Sequence, residues 1–218
     1  GDQLKAVLTP EIGFPADYVQ HWGTAIDVAF APNLLEADVR DALENQLSDE
    51  TRNAALAFYS SPLGEEASAL AASALELEES DGQQAEAQAY LASSSAEHNK
   101  LLTELFELQA GPKTANDVMD VYFRSMKTAA EPVVGATAAD EWIAGADGLR
   151  KGYVESYFLT TVATFSQLPE ERLQELAEAL RTPEMIAYAQ QSTEAFTEAL
   201  NAAADRLQIA YAAELDSR

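Results

Sequence analysis

The chain has 218 residues, a formal net charge of −24 and no cysteine. With 47% hydrophobic residues, a chain of this length buries a sizeable core, so disordered, collagen-like and disulfide-rich classes are excluded. The lack of cysteine removes thiol catalysis, zinc–thiolate sites and iron–sulfur clusters. No run of about 18 uncharged apolar residues is present, so we expect no membrane insertion.

The charge is strongly one-sided, with 37 acidic residues against 13 basic ones. Such a field repels phosphates, and nucleic acid is therefore not an expected partner. In one interpretation the negative charge keeps the protein soluble or adapts it to salty surroundings, where counterions screen the repulsion. In the other it attracts cations or a basic partner. No basic residue lies between Arg52 and Lys100, so this middle section holds much of the negative field.

The first third of the chain reads as a series of short helices, because apolar residues recur at helical spacing and no segment alternates like a strand. A helix begins near Pro15 and ends at Pro32, and a second carries apolar residues from 35 to 47. Ser48 is the predicted N-cap of a third helix. Ser61 caps a fourth, with Pro62 at its first position, where no amide hydrogen is needed.

The remaining helices are divided by glycine, proline and serine. A long helix follows a break at 80–82, is weak at 93–95, and is predicted to close at Gly111-Pro112. Another starts at a capping box from Thr114 to Asp117 and ends at Pro132. After a loop at 135–137, a helix from about 139 continues or restarts after Gly152. The last two predicted helices begin at Pro169 and Thr182-Pro183, and the C-terminal one is long.

An internal repeat is suggested by the spacing of caps and prolines. The segment 46–50 corresponds to 167–171, and both are followed at the same distance by a Ser/Thr-Pro step, 61–62 or 182–183. We therefore predict an all-α fold of two related antiparallel units, each with about four to five helices. The predicted segments are 1–80, a connecting helix or linker at 81–97, and 98–218. Packing of both into one globular domain stays open.

A motif in the first half resembles a known family. Leu47-Ser48-Asp49-Glu50, followed by Ala57-Phe58-Tyr59-Ser60-Ser61-Pro62-Leu63-Gly64, is similar to the signature of a bacterial family catalogued as domain of unknown function 2059. The resemblance covers roughly residues 34–75 and is weaker over 98–200, where Ala179-Leu180 and Met185 depart from the pattern. It implies an α fold and a periplasmic protein whose signal peptide has been removed. It implies no activity.

The motif residues Phe58, Tyr59, Ser61, Pro62 and Gly64 have a structural interpretation. The two aromatic rings bury a large area beside a helix end, the serine caps, the proline defines the turn, and the glycine permits close approach of a helix. On this interpretation Pro62→Ala and Gly64→Leu lower stability. The alternative is a recognition corner in which the Tyr59 and Ser61 hydroxyls face a ligand.

No chemistry-bearing constellation is apparent. The only histidines are His21 and His98, and neither spacing nor motif gives a zinc site. His21 is expected to be half-buried packing beside Trp22, and His98 to lie on a solvated helix face. No nucleophile elbow, phosphate loop or dinucleotide fingerprint occurs. We therefore predict no catalytic, cofactor-binding or metal-ligating residue, no cofactor, and no enzyme activity.

These features are compatible with three functions. The leading hypothesis is a non-catalytic helical interaction or scaffold protein of the bacterial cell envelope, whose partner is another envelope protein or a basic partner. The second is a carrier or sensor of a small apolar ligand held between helices. Eight aromatic residues are candidates to line its pocket: Trp22, Phe30, Phe58, Tyr59, Trp142, Tyr153, Phe158 and Phe165.

The third hypothesis is an enzyme with an unfamiliar carboxylate site. An enclosed apolar cavity favours the carrier, whereas a packed interior with an exposed apolar patch favours the interaction protein. Oligomeric state stays open. So does the origin of Gly1, as a native residue or as a remnant standing where a signal peptide was replaced.

Overall fold

The computed structural model describes residues 4–5, 14–77 and 81–216. Within these ranges the longer elements are eleven α-helices and no strand occurs, which confirms the all-α prediction. The helices are α1 Ala16–Ala29, α2 Pro32–Gln46, α3 Asp49–Tyr59, α4 Pro62–Leu77, α5 Asp81–Ser93, α6 Ala96–Leu108, α7 Gly111–Val134, α8 Ala136–Ala144, α9 Asp147–Phe165, α10 Glu170–Leu180 and α11 Pro183–Asp216. The predicted long C-terminal helix is α11, with 34 residues.

The helices form two compact units, and each draws on separated stretches of the chain. Unit 1 comprises Gly1–Asn45, Asn116–Arg150 and Glu194–Arg218, and unit 2 comprises Gln46–Ala115 and Lys151–Thr193. Both units therefore contain residues from 1–80 and from 98–218. The segments 1–80, 81–97 and 98–218 were predicted from a repeat in the sequence, and they stay a prediction. The two units described here are defined by packing instead.

The core of unit 1 is built around Trp22. Its side chain is fully buried, its Nε1 donates to the Leu4 carbonyl at 3.0 Å, and its ring meets the Tyr211 ring edge-on with centroids 5.1 Å apart. Ile26 and Leu207 are likewise fully buried in this cluster. The edge-on ring pair contributes about 0.5–1.5 kcal/mol beyond the area it buries, and the Trp22 N–H is buried with its hydrogen bond made.

The core of unit 2 is a leucine-rich cluster. Helices α6 and α10 pack against each other, and α3 packs against α4. The fully buried leucines of this cluster are Leu102, Leu105, Leu173 and Leu176. Their spacing of three residues on each helix gives the apolar stripe that an amphipathic helix needs to bury.

Several predicted boundaries around α7 are wrong. Gly111-Pro112 does not close a helix but opens α7, after Ala110 adopts a left-handed φ of 55°. Thr114 is therefore inside the helix, and its hydroxyl donates to the Ala110 carbonyl at 3.0 Å instead of capping. Pro132 also lies within α7, which ends two residues later at Val134. A proline removes one backbone hydrogen bond from a helix. Because Pro132 lies only two residues before the end of α7, the loss does not prevent the helix from continuing to Val134.

Two further breaks lie elsewhere than predicted. The expected loop at 135–137 is reduced to Gly135, whose φ of 84° suits glycine and which directly precedes α8. The next interruption falls at 145–146 between α8 and α9, so Gly152 lies inside α9. The weak point at 93–95 is a true break, with Ser95 accepting from the His98 amide at 3.0 Å as the N-cap of α6. Of the predicted break at 80–82, residue 80 lies outside the described residues, and residues 81 and 82 are already helical at the start of α5, so the break is wrong there.

None of the described helices is long and apolar enough to cross a membrane.

Candidate functional site

The motif residues form the corner between α3 and α4, which we call the first corner (residues 58–64). The Ser61 hydroxyl donates to the Phe58 carbonyl at 2.6 Å and accepts from the Gly64 amide at 3.1 Å. One side chain thus gives a further hydrogen bond to a carbonyl at the end of α3, which also accepts from the Ser61 amide, and caps an amide at the start of α4.

Gly64 lies in contact with the backbone of the preceding helix end. A Cβ atom at this position would lie 2.1 Å from the Phe58 carbonyl oxygen and 2.8 Å from the Tyr59 Cα. Backbone atoms cannot rotate away as a side chain does, so any larger residue requires the two helix ends to separate. The close approach occurs at the preceding helix, within the corner itself.

The two aromatic residues of the corner have different surroundings. Phe58 packs against the unit 2 core, while Tyr59 is partly exposed and meets the Tyr188 ring edge-on at 5.8 Å. Burial of the hydroxyl, together with the neighbouring Tyr188 and a hydrogen bond with it, raises the pKa of Tyr59 to about 12. The Tyr59 hydroxyl therefore stays protonated throughout the physiological pH range.

The step between α10 and α11, which we call the second corner (residues 179–185), repeats these hydrogen bonds. The Thr182 hydroxyl donates to the Ala179 carbonyl at 3.3 Å and accepts from the Met185 amide at 3.4 Å. Helices α3 and α10, which precede the two corners, each have 11 residues. The repeated spacing in the sequence thus corresponds to a repeated capping geometry, and a second copy of the family domain stays a prediction.

The two histidines occupy separate places. His98 is only 9% exposed, so the prediction of a solvated face is wrong, and its Nε2 lies 2.8 Å from the Tyr90 hydroxyl. The Tyr90 ring of α5 also meets the His98 ring edge-on at 5.5 Å, a contact between two helices that helical periodicity alone did not reveal. His21 is half-buried, and its Nδ1 lies 3.0 Å from a carboxylate oxygen of Glu214.

Two open grooves of unit 2 adjoin the second corner and share Glu104 and Glu107 in their walls. Their volumes are about 570 and 420 Å3. Arg181 bridges the first groove by donating to both carboxylate oxygens of Glu104, at 2.6 and 2.8 Å. This bidentate hydrogen bonding is the main cause that lowers the pKa of Glu104 below its usual value. Both grooves are open to solvent and lined partly by charged side chains.

A third, more enclosed space of about 200 Å3 lies between α4, the start of α7 and α9, and we call it the α9 cavity. Its walls include the rings of Phe106, Tyr157 and Phe165. Three threonines of α9 complete them: Thr160, Thr161 and Thr164. These threonines were not singled out from the sequence, although residues 156–165 contain no charged side chain and such a stretch signals a sheltered face.

Of the eight aromatics predicted to line a pocket, Phe165 lines the α9 cavity. Trp22 and Phe30 belong to the unit 1 core or pack against it. Trp142 is exposed, Tyr153 stacks on Tyr157, and Phe158 meets the Phe106 ring edge-on. The eight aromatics are therefore distributed over both units.

Among the described residues, no group of three or more histidine, aspartate or glutamate side chains is placed to hold a metal ion.

Comparison with known protein families identifies a match in the first half of the chain. Residues 34–91 match the model of a family described as an uncharacterized protein conserved in bacteria (DUF2059). This segment spans α3 and α4 with the first corner between them, and most of α2 and α5. The resemblance found in the sequence is thereby confirmed for this part of the chain. No curated protein and no solved structure matches.

Proposed function

We propose that the protein is a non-catalytic helical interaction protein of the bacterial cell envelope, and that its partner presents basic groups around an apolar contact. The observation that carries the proposal is Trp142 on α8, a tryptophan 42% exposed in unit 1. Helix α8 buries Ala139. Tryptophan is among the residues that contribute most at protein interfaces, and an exposed one is a candidate anchor.

Further exposed apolar side chains flank α8 in the sequence. Val134 ends α7, and Leu149, which is 59% exposed, lies in the first turn of α9. Other large exposed apolar residues of unit 1 are Val28, Leu34, Phe196 and Ile209. Scattered exposed apolar residues are normal on a surface, but a tryptophan between two of them supports a contact site.

The negative charge of the protein supports a basic partner. Several basic side chains of unit 1 are engaged by aspartates of the same unit, in the pairs Arg124–Asp205, Lys127–Asp140, Arg150–Asp120 and Arg206–Asp38. With a net charge of −24 the protein thus presents a negative field outward. A basic surface is attracted to such a field, which accelerates association at low ionic strength.

Placement in the periplasm is part of the same proposal. It is supported by the bacterial family match and by the absence of cysteine, which avoids mispairing in an oxidising compartment. The test is fractionation of a bacterial host that expresses the complete gene. We expect the protein in the osmotic-shock fluid with a periplasmic marker, and its recovery with a cytoplasmic marker would contradict this placement.

The interaction is tested by site-specific photo-cross-linking in that host. A photoreactive residue at Leu149 is compared with one at Gln88, an exposed polar position of unit 2. We expect one basic envelope protein to cross-link from position 149 and not from position 88. The cross-link is expected to disappear with Trp142→Asp and to weaken at about 1 M salt, where charges are screened beyond about 3 Å.

Absence of a cross-link from position 149, or an equal one from position 88, contradicts the proposal. Circular dichroism of Trp142→Asp shows whether the variant remains folded.

The carrier or sensor of a small apolar ligand is the second candidate function. It is favoured by one observation, the α9 cavity. The cavity and the exposed tryptophan lie in different units, so the two candidates are tested by different variants.

A further inference from the structure

The α9 cavity differs from the grooves of unit 2 in its chemistry. Among the residues that the structure describes, the ten that line this cavity include no charged side chain, in a chain where 23% of residues are charged. The grooves beside it contain Lys100, Glu104 and Arg181 or Lys113 in their walls. A charged ligand entering the cavity would lose hydration without gaining an ionic partner, so the lining selects an uncharged molecule.

The cavity walls are held in place by aromatic packing. The Phe106 ring meets the Tyr157 ring at 6.1 Å and the Phe158 ring at 5.4 Å, both edge-on. Gly111 leaves room for the same ring, because a Cβ there would lie 2.2 Å from Cδ2 of Phe106. Such edge-to-face contacts favour an aromatic ring as a further neighbour.

Small residues keep the space open on the side of α4. Ala71 and Ala74 face the cavity, and Ala74 is almost completely buried. Both alanines lie in the segment that matches the family, whereas the aromatic and threonine walls lie outside it. A longer side chain at position 74 would extend into the cavity and fill it.

Two threonines of the wall, Thr160 and Thr164, present acceptor oxygens to a ligand. The Thr160 hydroxyl donates to the Ser156 carbonyl at 3.3 Å, and the Thr164 hydroxyl donates to the Thr160 carbonyl at 2.8 Å. The hydroxyl hydrogens of Thr160 and Thr164 are thus used within α9, and what remains on these two oxygens is the capacity to accept. The complementary ligand group is a donor, an O–H or N–H.

The size restricts the ligand further. An engineered protein cavity of about 150 Å3 binds benzene. The α9 cavity, at about 200 Å3, accommodates a single ring with one small substituent.

We propose that the α9 cavity is a binding site for a small uncharged aromatic molecule that carries one hydrogen-bond donor, the class of simple phenols. This proposal deepens the second candidate function and rests on it, and it is independent of the partner proposed for unit 1.

The test uses the full chain and phenol as the probe, with titration calorimetry and ligand-observed NMR. We expect saturable binding of phenol with a one-to-one stoichiometry, and no binding of benzoate, which has the same ring with a charge. Ala74→Leu is expected to abolish phenol binding. Ala189→Leu, which makes the same substitution in the neighbouring groove, is expected to leave the phenol affinity unchanged.

A second variant tests the hydrogen bond and protects the test against misfolding of Ala74→Leu. Thr164→Val keeps the shape of the side chain and removes its acceptor oxygen. We expect the phenol affinity to fall about tenfold while toluene binding stays unchanged, because toluene has no donor.

Equal losses for phenol and toluene would overturn the assignment of the donor group. No phenol binding to the unmodified chain, or full binding by a folded Ala74→Leu variant, would overturn the site. A failure of phenol to bind leaves the cross-linking result at position 149 unaffected, so the two proposals fail separately.

Discussion

Replacement of Gly64 by alanine is expected to destabilise the protein, although alanine is the better helix former. The added Cβ would lie 2.1 Å from the Phe58 carbonyl oxygen, whereas ordinary contact begins at 3.4 Å. The two helix ends would therefore have to separate by about 1.3 Å, a backbone shift of the kind that overpacking imposes.

The magnitude follows from two opposing contributions. Overpacking against a rigid neighbour costs about 1–3 kcal/mol, and the upper end applies because the neighbour is backbone. Removing a helical glycine contributes at most about 1 kcal/mol in the other direction. The net loss in the free energy of unfolding is about 2 kcal/mol, which corresponds to a fall in Tm of about 4–8 °C for a chain of this length.

A matched control is available in the same unit. Gly152 lies inside α9, and a Cβ there would meet no atom of the described residues outside its own helix within 4 Å. Gly152→Ala is therefore expected to raise the free energy of unfolding by about 0.5–1 kcal/mol. The measurement is urea unfolding of both variants followed by circular dichroism, with Tm by calorimetry. If Gly64→Ala is as stable as Gly152→Ala, the close approach at the first corner does not constrain the residue and the reasoning is refuted.

Three further outcomes are expected. The pKa of Glu104 is lowered in the folded state by Arg181, so the stability this carboxylate contributes is present above about pH 4.5 and is lost as the pH falls through its folded pKa. Urea midpoints of Glu104→Gln and the unmodified chain should thus converge in acid, and a constant difference down to pH 2 would contradict the pairing. The pKa of Tyr59 is raised to about 12, so unfolding becomes easier from pH 10 to 12, and Tyr59→Phe should flatten the stability profile in this range. Absorbance at 295 nm should show one fewer late-titrating tyrosine in that variant, and an unchanged titration would argue against burial of the hydroxyl. Ser95→Ala removes the side-chain cap of α6 and should lower the free energy of unfolding by about 1 kcal/mol, as measured by urea unfolding, whereas Ser95→Asn, an uncharged cap beside Glu170, should retain most of it.

The first corner shows which features can be predicted from local sequence. Ser61 and Pro62 were predicted at the helix start from their residue types, and Ser61 caps α4 through its own hydroxyl. Capping depends on atoms within three residues of one another, so the residue types alone carry the signal. The same holds for Ser48, whose hydroxyl accepts from the Thr51 amide at 3.1 Å.

Boundaries were misplaced where local signals compete. Proline and glycine at 111–112 are typical of a helix end and equally of a helix start, and the left-handed Ala110 decides between them. Pro132 was predicted to end α7, yet the helix continues to Val134. A single lost hydrogen bond is a small cost when the preceding turns are packed, and packing is not visible in local sequence.

The net charge and the missing cysteine were apparent from the outset, and helical periodicity was sufficient to establish an all-α chain, because spacing along a helix is a property of neighbouring residues. The burial of His98, the exposure of Trp142 and the α9 cavity were decided only by tertiary packing. Each depends on which helix covers a given face, and the residues that decide it are distant in the chain. For the same reason, the sequence did not predict that each compact unit contains residues from both halves of the chain. Periodicity and capping depend on neighbouring residues and carry no information about distant ones.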